Sequence, residues 1–495
     1  MAEGTNEAAI GGVSAPSLGF STKPYRAYVL GSLLLVYVFN FIDRTIINIL
    51  TEPIKESFQV EDWQMGLLGG IAFAALYTML GIPLARISER VNRVLVITVS
   101  VAVWSLFTVL CGFASSFIML FVLRICVGIG EAGCTPPAQS LIADYFAPES
   151  RATAVSIYAM GVPLGGMIAG LSGGIITEQL TGENVEAIIR GVGLGGLLGS
   201  ADLSSVDGWR FAFVIVGLPG ILLAFIFNRT VKEPPRGYTD PESAQKKEHA
   251  SFSEALKVLA GKPTYWHVVA GATIASFIGY GVGQFTTSFL IRTHGLSLTE
   301  AALLFSLILG LMAAVGVWSS GFMADRFAQR HPTALSWIPA LGMLGSVPLY
   351  VFGYSSANLW IAMPPLMIAA MIHYYYLGPM YAVSGGVVDS RMRATSVAIT
   401  LLVVNIVGLG LGPPAMGFLS TFMKSVYLSG SDLNLTLEAC KAVDLEDAAS
   451  ATCASANARG LQTAIIAFCC LYAWAALHYF LAGRTMKRDM IAMAT

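Results

Sequence analysis

Apolar residues recur in stretches of about twenty between positions 26 and 483, and a stretch of that length is what an α-helix needs to cross roughly 30 Å of hydrocarbon. That repetition leaves few folds open. Hydrophobic residues make up 55% of the 495-residue chain and charged residues only 12%, a balance that fits lipid rather than water as the main solvent. Inside lipid every backbone N–H and C=O must find a partner within the protein, and a helix supplies its own, so the expectation is an all-α polytopic membrane protein. Net charge is −1, with 29 Lys and Arg. Such a surface offers nothing to nucleic acid.

The apolar runs place spans at 26–50, 63–84, 94–113, 117–145, 152–176 and 211–228, then 264–292, 299–323, 334–353, 358–383, 394–422 and 460–483. Arginine and lysine gather in alternate connections: Arg86, Arg90 and Arg93, then Arg151, then Arg229 to Lys262, then Arg326 and Arg330, then Arg391 and Arg393, then Arg484, Lys487 and Arg488. The intervening connections, such as 51–62 (TEPIKESFQVED) and 424–458, are neutral or acidic. The positive-inside rule then puts both termini in the cytoplasm, as twelve crossings require. Residues 1–25 read as a polar cytoplasmic tail without a cleavable signal, 26–228 as one six-helix bundle, 263–484 as a second, and 485–495 as a short cytoplasmic tail. Between the bundles lies a polar linker, 229–262. It ends in a short amphipathic helix, for which a place on the membrane surface and a place against the protein's cytoplasmic face are equally good readings.

Cutting at the linker exposes an internal repeat. SRATAVSIYAMGVPLGG at Ser150–Gly166 opens span 5, and MRATSVAITLLVVNIVG at Met392–Gly408 opens span 11 in the same register. SERVNR at Ser88–Arg93 follows span 2 as ADRFAQR at Ala324–Arg330 follows span 8. Two parallel six-span halves result.

These motifs carry a resemblance to the major facilitator superfamily. Gly321-Phe-Met-Ala-Asp325-Arg326 is similar to the family's loop signature, and the first copy departs from it with Glu89-Arg90 and Asn92. Arg124-x-x-x-Gly128-x-Gly130 resembles the second motif, with Val127 at a common Gln position, and Gly161-Val-Pro163-Leu-Gly165-Gly166 resembles the third, associated with proton antiporters. Within the superfamily, Phe39-Asn-Phe-Ile-Asp43-Arg44 together with Arg124 and Gly128-Ile-Gly130-Glu131-Ala132 resembles the spinster group. The resemblance implies twelve helices in two pseudo-repeats, a bacterial inner-membrane location, and proton-linked movement of amphipathic lipids such as sphingosine-1-phosphate or lysophospholipids.

Ionisable residues inside a span cost several kcal/mol unless they find a partner, a wet cavity or another protonation state. Four stand out: Asp43 and Arg44 on span 1, Arg124 and Glu131 on span 4. Helix rise puts Asp43 and Arg124 each about 10 Å from the outer end of its span, so the two can be level, with Glu131 two turns further inward on Arg124's face. Proton coupling is therefore assigned to Asp43 and Glu131, with Arg124 as the group that switches their affinity; a static salt bridge between spans 1 and 4 is the competing reading. Arg44 points about 100° away from Asp43. With Asn40, Tyr37 and Arg124 it is assigned to substrate binding, against the alternative of snorkelling or pairing with another span.

In the second half the polar span residues are sparse: Gln284, Thr287, His373 beside Tyr374–Tyr376, and Asn405. At the cytoplasmic turns Glu89, Arg90, Arg93, Arg151, Asp325, Arg326 and Arg393 are expected to form an inter-helix gate. Cys440 and Cys453 share an outer connection and are expected to pair in an oxidising space. The glycine-rich stretch Gly191–Gly199 follows no strand and reads as a flexible or interfacial segment, and no GxxxxGK[ST] motif points to an ATP-driven pump. With no catalytic or metal-binding constellation, the expectation is a carrier, a monomer with no cofactor, driven by the proton gradient and in contact with membrane lipids and a small amphipathic substrate. The rival readings are a proton-coupled organic-anion or multidrug exporter, an uncoupled lipid scramblase or facilitator, and a non-transporting receptor.

Overall fold

The structure, a computed structural model, describes residues 22–490 except 89, 147, 193–201, 237, 239–251, 329–330, 332, 390–391 and 443–445. The two tails beyond those bounds, Glu89 and most of Gly191–Gly199 therefore lie outside the described residues.

Among the described residues eleven helices are long and apolar enough to cross a membrane: Lys23–Ile49, Asp62–Gly81, Arg93–Cys111, Phe117–Tyr145, Thr153–Gln179, Gly208–Thr230, Pro263–His294, Leu298–Met323, Ala334–Ser355, Thr395–Ser429 and Asp447–Asp489. Span 10 is the twelfth crossing and is assembled from pieces. Leu359–His373, a 3-10 turn at Tyr374–Tyr376 and Leu377–Gly386 follow one another directly. At about 1.5 Å per residue the three together exceed the hydrocarbon thickness. Spans 8 and 11 carry π-helical turns at Ser306–Met312 and Val404–Leu411.

Local sequence explains where several spans begin. Asn92, which stands where the loop signature has Gly, caps span 3 by accepting from the Leu95 N–H at 2.9 Å. Ser116 caps span 4 through Met119 N–H, and Ser297 with Glu300 forms a reciprocal capping box on span 8. Glycines then set how closely spans approach. A Cβ on Gly128 would stand 2.6 Å from the Phe73 carbonyl oxygen, and one on Gly130 2.7 Å from the Trp104 nitrogen. Span 4 can therefore lie against spans 2 and 3 only with glycine at both positions.

With twelve crossings the chain enters span 1 and leaves span 12 at one end of the bundle, the tail end; the other is the distal end. The linker helix Phe252–Ala260 packs on the second half: Ala255 and Leu259 are fully buried while Leu256 stays exposed. Cys440, in the connection between spans 11 and 12, forms a disulfide with Cys453 near the start of the span 12 helix, and Leu428, Cys453 and Ala456 are buried together in a small cluster there.

Candidate functional site

Asp43 is 1% exposed, Arg124 1% and Glu131 0%, so the charges singled out on spans 1 and 4 are inside the first half. Arg124 Nη1 donates to Asp43 Oδ2 at 3.1 Å, as the level depths of the two residues predict. The other Asp43 oxygen, Oδ1, accepts from the Thr108 hydroxyl of span 3 at 2.7 Å. Arg44 Nε donates to Glu131 Oε2 at 2.6 Å. Two ion pairs thus bridge the same two spans, two helical turns apart on span 4.

This arrangement corrects one part of the sequence-based expectation. Glu131 does share Arg124's face, but its partner is Arg44, and Arg124 serves Asp43 alone. Adjacent residues on a helix diverge by about 100° at Cβ, yet the long arginine stem of Arg44 swings back to span 4. Its guanidinium lies 4.7 Å from the Phe73 ring centroid, 4.5 Å from Tyr77 and 5.0 Å from Phe41. Planar, delocalised charge stacks well on aromatic faces. The Arg44 side chain is 16% exposed, the most open member of the quartet. Tyr37 stacks on Tyr158 with centroids 4.3 Å apart, and Asn40 is buried.

Each pair leaves a polar atom unsatisfied. Glu131 Oε1, Arg44 Nη2, Arg124 Nε and Asn40 Oδ1 are buried without a hydrogen-bond partner among the described residues. A buried unsatisfied atom normally has a functional reason. Facing this group from the second half, Tyr280 of span 7 and Tyr381 of span 10 are 41% and 45% exposed and lie within electrostatic range of Tyr37, as Tyr280 does of Arg44. An aromatic wall therefore stands across the interior from the charged one.

The expected gate residues lie elsewhere, toward the tail end. Buried Arg93 holds Asp144 of the first half at 2.5 Å and Glu233 of the linker at 2.7 Å. Arg151 donates to the carbonyls of Ala143 at 2.7 Å and Phe146 at 3.4 Å. Arg90, Arg326 and Arg393 are exposed; the Asp325 side chain, like Glu89, lies outside the described residues.

The bonds that do join the halves among the described residues sit toward the distal end. Arg292, near the end of span 7, holds Glu52 at 2.6 and 3.1 Å and Asp62 at 2.7 and 2.8 Å. Asp62 also takes Lys55 and accepts from Ser420 at 2.6 Å. Lys424 reaches Glu61 at 2.9 Å, Gln284 donates to Thr51 at 2.9 Å, and Glu178 of span 5 accepts from the Thr299 N–H at 3.2 Å and from its hydroxyl. Burial works to raise the proton affinity of Glu52, but Arg292 and Lys55 outweigh it and hold its carboxyl below the usual carboxylate range. Sequence reasoning passed over this clamp. Its signal was present: Arg292 and Lys424 are lone cations at ends where arginine and lysine are otherwise scarce, and the connection opposite, 51–62, is acidic.

Two bundles of six helices meeting over a buried charge cluster, with ion pairs joining the bundles at the distal end, define a membrane carrier. The sequence profile of the Major Facilitator Superfamily matches residues 33–413, and the chain belongs to that family. Within it the chain is spinster-like. It is 42% identical to a solved bacterial homolog of the human lysosomal transporter spinster, in an inward-facing and unoccupied conformation, with a TM-score of 0.88 over 95% of this chain and 99% of that one. Protein spinster of Drosophila melanogaster is 25% identical over 438 residues, 86% of this chain and 67% of that protein. An MFS-type efflux pump of Mycolicibacterium smegmatis is 29% identical over 415 residues, 82% of this chain and 89% of that one. Protein spinster homolog 1 of Xenopus laevis matches at 24% identity over 68% of this chain, which spans only 61% of the frog protein. A D-xylose–proton symporter, at 16% identity and a TM-score of 0.62, shares the fold.

Proposed function

We propose that the chain is a proton-coupled secondary transporter that moves an amphipathic lipid or lysolipid, of the sphingosine-1-phosphate or lysophospholipid kind, by alternating access. The observation that carries this reading is the pair of buried ion pairs 43–124 and 44–131, each with an unsatisfied atom. A buried carboxylate whose only cation can move away gains proton affinity at that moment, so protonation and the position of the arginine are linked. Asp43 and Glu131 are the proton carriers. Arg124 controls the first, and Arg44, partly exposed and ringed by Phe41, Phe73 and Tyr77, controls the second and is the group an anionic head group would displace from Glu131. The exposed tyrosines opposite suit an acyl chain and its glycerol or sphingoid region.

In this reading the tail end faces the cytoplasm and the distal clamp holds the outer side shut, an inward-facing state like that of the solved spinster homolog. The Cys440–Cys453 disulfide then lies in the periplasm, and the inner membrane of a bacterium is the location. The protein works as a monomer, with the proton gradient as its energy source and no cofactor. The gate expected from Arg90, Arg93, Arg151, Arg326 and Arg393 with Glu89 and Asp325 would assemble only when the tail end closes.

Counterflow of a fluorescent lysolipid in proteoliposomes tests the reading. Imposing a pH gradient should accelerate wild type at least tenfold and leave Asp43→Asn and Glu131→Gln unaffected by the gradient. Equal acceleration in the variants would remove proton coupling from these residues. Similarity to a mycobacterial efflux pump favours a second reading, a proton-coupled exporter of organic anions or drugs; failure of lysolipid, but not of an amphiphilic drug, to compete would select it.

A further inference from the structure

Thr108 stands beside Asp43 in a position that serves both protonation states of that carboxyl. Its hydroxyl has a single proton and two acceptors within reach: Asp43 Oδ1 at 2.7 Å and the Trp104 carbonyl, one turn back on its own helix, at 2.9 Å. Only one can receive that proton at a time. The crevice at this point, bordered by Asp43, Trp104, Ser105, Thr108 and span 6 residues Val216 and Gly217, has no room for a water molecule. Thr108 is therefore the hydroxyl that bonds Asp43, with the Glu131 carboxyl also within reach of Asp43, and Thr108 itself is 1% exposed.

We infer that Thr108 is a positioning residue for proton transfer at Asp43, reversing its hydrogen bond as the proton arrives and leaves. This rests on the proton-coupled reading above. With Asp43 ionised, the Thr108 O–H donates to Oδ1 while Arg124 Nη1 donates to Oδ2, so both oxygens are satisfied. When a proton binds at Oδ1, the new carboxylic O–H donates to Thr108 Oγ, and the Thr108 proton turns to the Trp104 carbonyl. Arg124 is then freed from its counter-ion. No bond is made or broken other than that to the arriving proton, and neither state leaves Oδ1 unsatisfied, which a buried site penalises. A valine of the same shape could do neither.

The charged and titratable groups near Asp43 are Arg124 and Glu131 on span 4, Cys111 on span 3 and Arg44 on its own span. Span 6 contributes the apolar Val216 and Gly217. All of these are kept in the test, which changes Thr108 alone. The pH profile of counterflow is measured for wild type, Thr108→Val, Thr108→Ser and Asp43→Asn in the same lipid. Because a hydrogen bond to a charged acceptor outweighs one to a neutral acid, Thr108→Val should move the midpoint upward by about one pH unit, and Thr108→Ser should restore it. Infrared difference spectra supply the second measurement. The carbonyl band of protonated Asp43, identified by its loss in Asp43→Asn, should move in Thr108→Val toward that of a free acid and stay in place in Thr108→Ser. A wild-type midpoint and band in Thr108→Val, with pH dependence abolished in Asp43→Asn, would overturn the role of Thr108 and spare the coupling. Full pH dependence in Asp43→Asn would instead overturn the coupling and this inference with it.

Discussion

The two halves share a fold and an internal repeat but are held together inside by different chemistry. In the first, spans 1 and 4 are joined by charges, Asp43 to Arg124 and Arg44 to Glu131. In the second, the interior bonds are between neutral groups: His373 with Tyr350 at 2.8 Å, Tyr376 with Ser276 at 3.1 Å, and Ser384 with Thr400 at 2.9 Å, Thr400 also donating to Tyr265 at 3.1 Å. A buried ion pair is conditional, since one proton or one competing anion removes its Coulombic term and exposes the desolvation cost. A neutral hydrogen bond changes little over the pH range a cell imposes. The difference suits a first half that responds and a second that supplies a steady wall.

Arg124→Leu should break this contrast most severely, because it removes the cation paired with buried Asp43 and leaves the Thr108 hydroxyl bonded to it. Removing one partner of such a pair costs about 3–5 kcal/mol. Counterflow should fall more than a hundredfold, and a rate within fivefold of wild type would mean that the pair is dispensable.

The clamp is charged too, but joins the halves rather than the spans of one half. Arg292→Ala removes the cation that Glu52 and Asp62 share, leaving Asp62 to Lys55 and Ser420, and should move the population toward distal-open by about 3 kcal/mol. Spin labels at the distal ends of spans 1 and 11 would report a long-distance population rising from minor to dominant; an unchanged distance distribution would show that the helix contacts alone hold that end. Because the proton affinity of Glu52 is depressed in the closed state, its contribution is complete at neutral pH and lost only as pH falls through that lowered value.

His373→Gln should have the smallest effect. Glutamine can still bond Tyr350, so counterflow should stay within about threefold of wild type with the same pH profile. A shifted profile would give the second half a titrating role and sharpen the division drawn here.

Much of this was legible in the sequence, for a physical reason. Lipid forces each crossing to announce itself as an apolar run, and it isolates any charge placed inside one, so the twelve spans, the two halves, and Asp43, Arg44, Arg124 and Glu131 follow from order alone. The pairing of Asp43 with Arg124 followed too, since helix rise fixes depth. Span 10 was legible as a run but not as a helix broken at Tyr374–Tyr376. What only the tertiary structure decided was which partner each remaining charge takes. Arg44 reaches Glu131 because its flexible stem overrides the direction of its Cβ. Arg292 finds Glu52 and Asp62, more than two hundred residues away, because rigid helices bring distant ends to one level at the distal end. Periodicity fixes where a side chain stands along its own helix; only packing fixes what stands opposite.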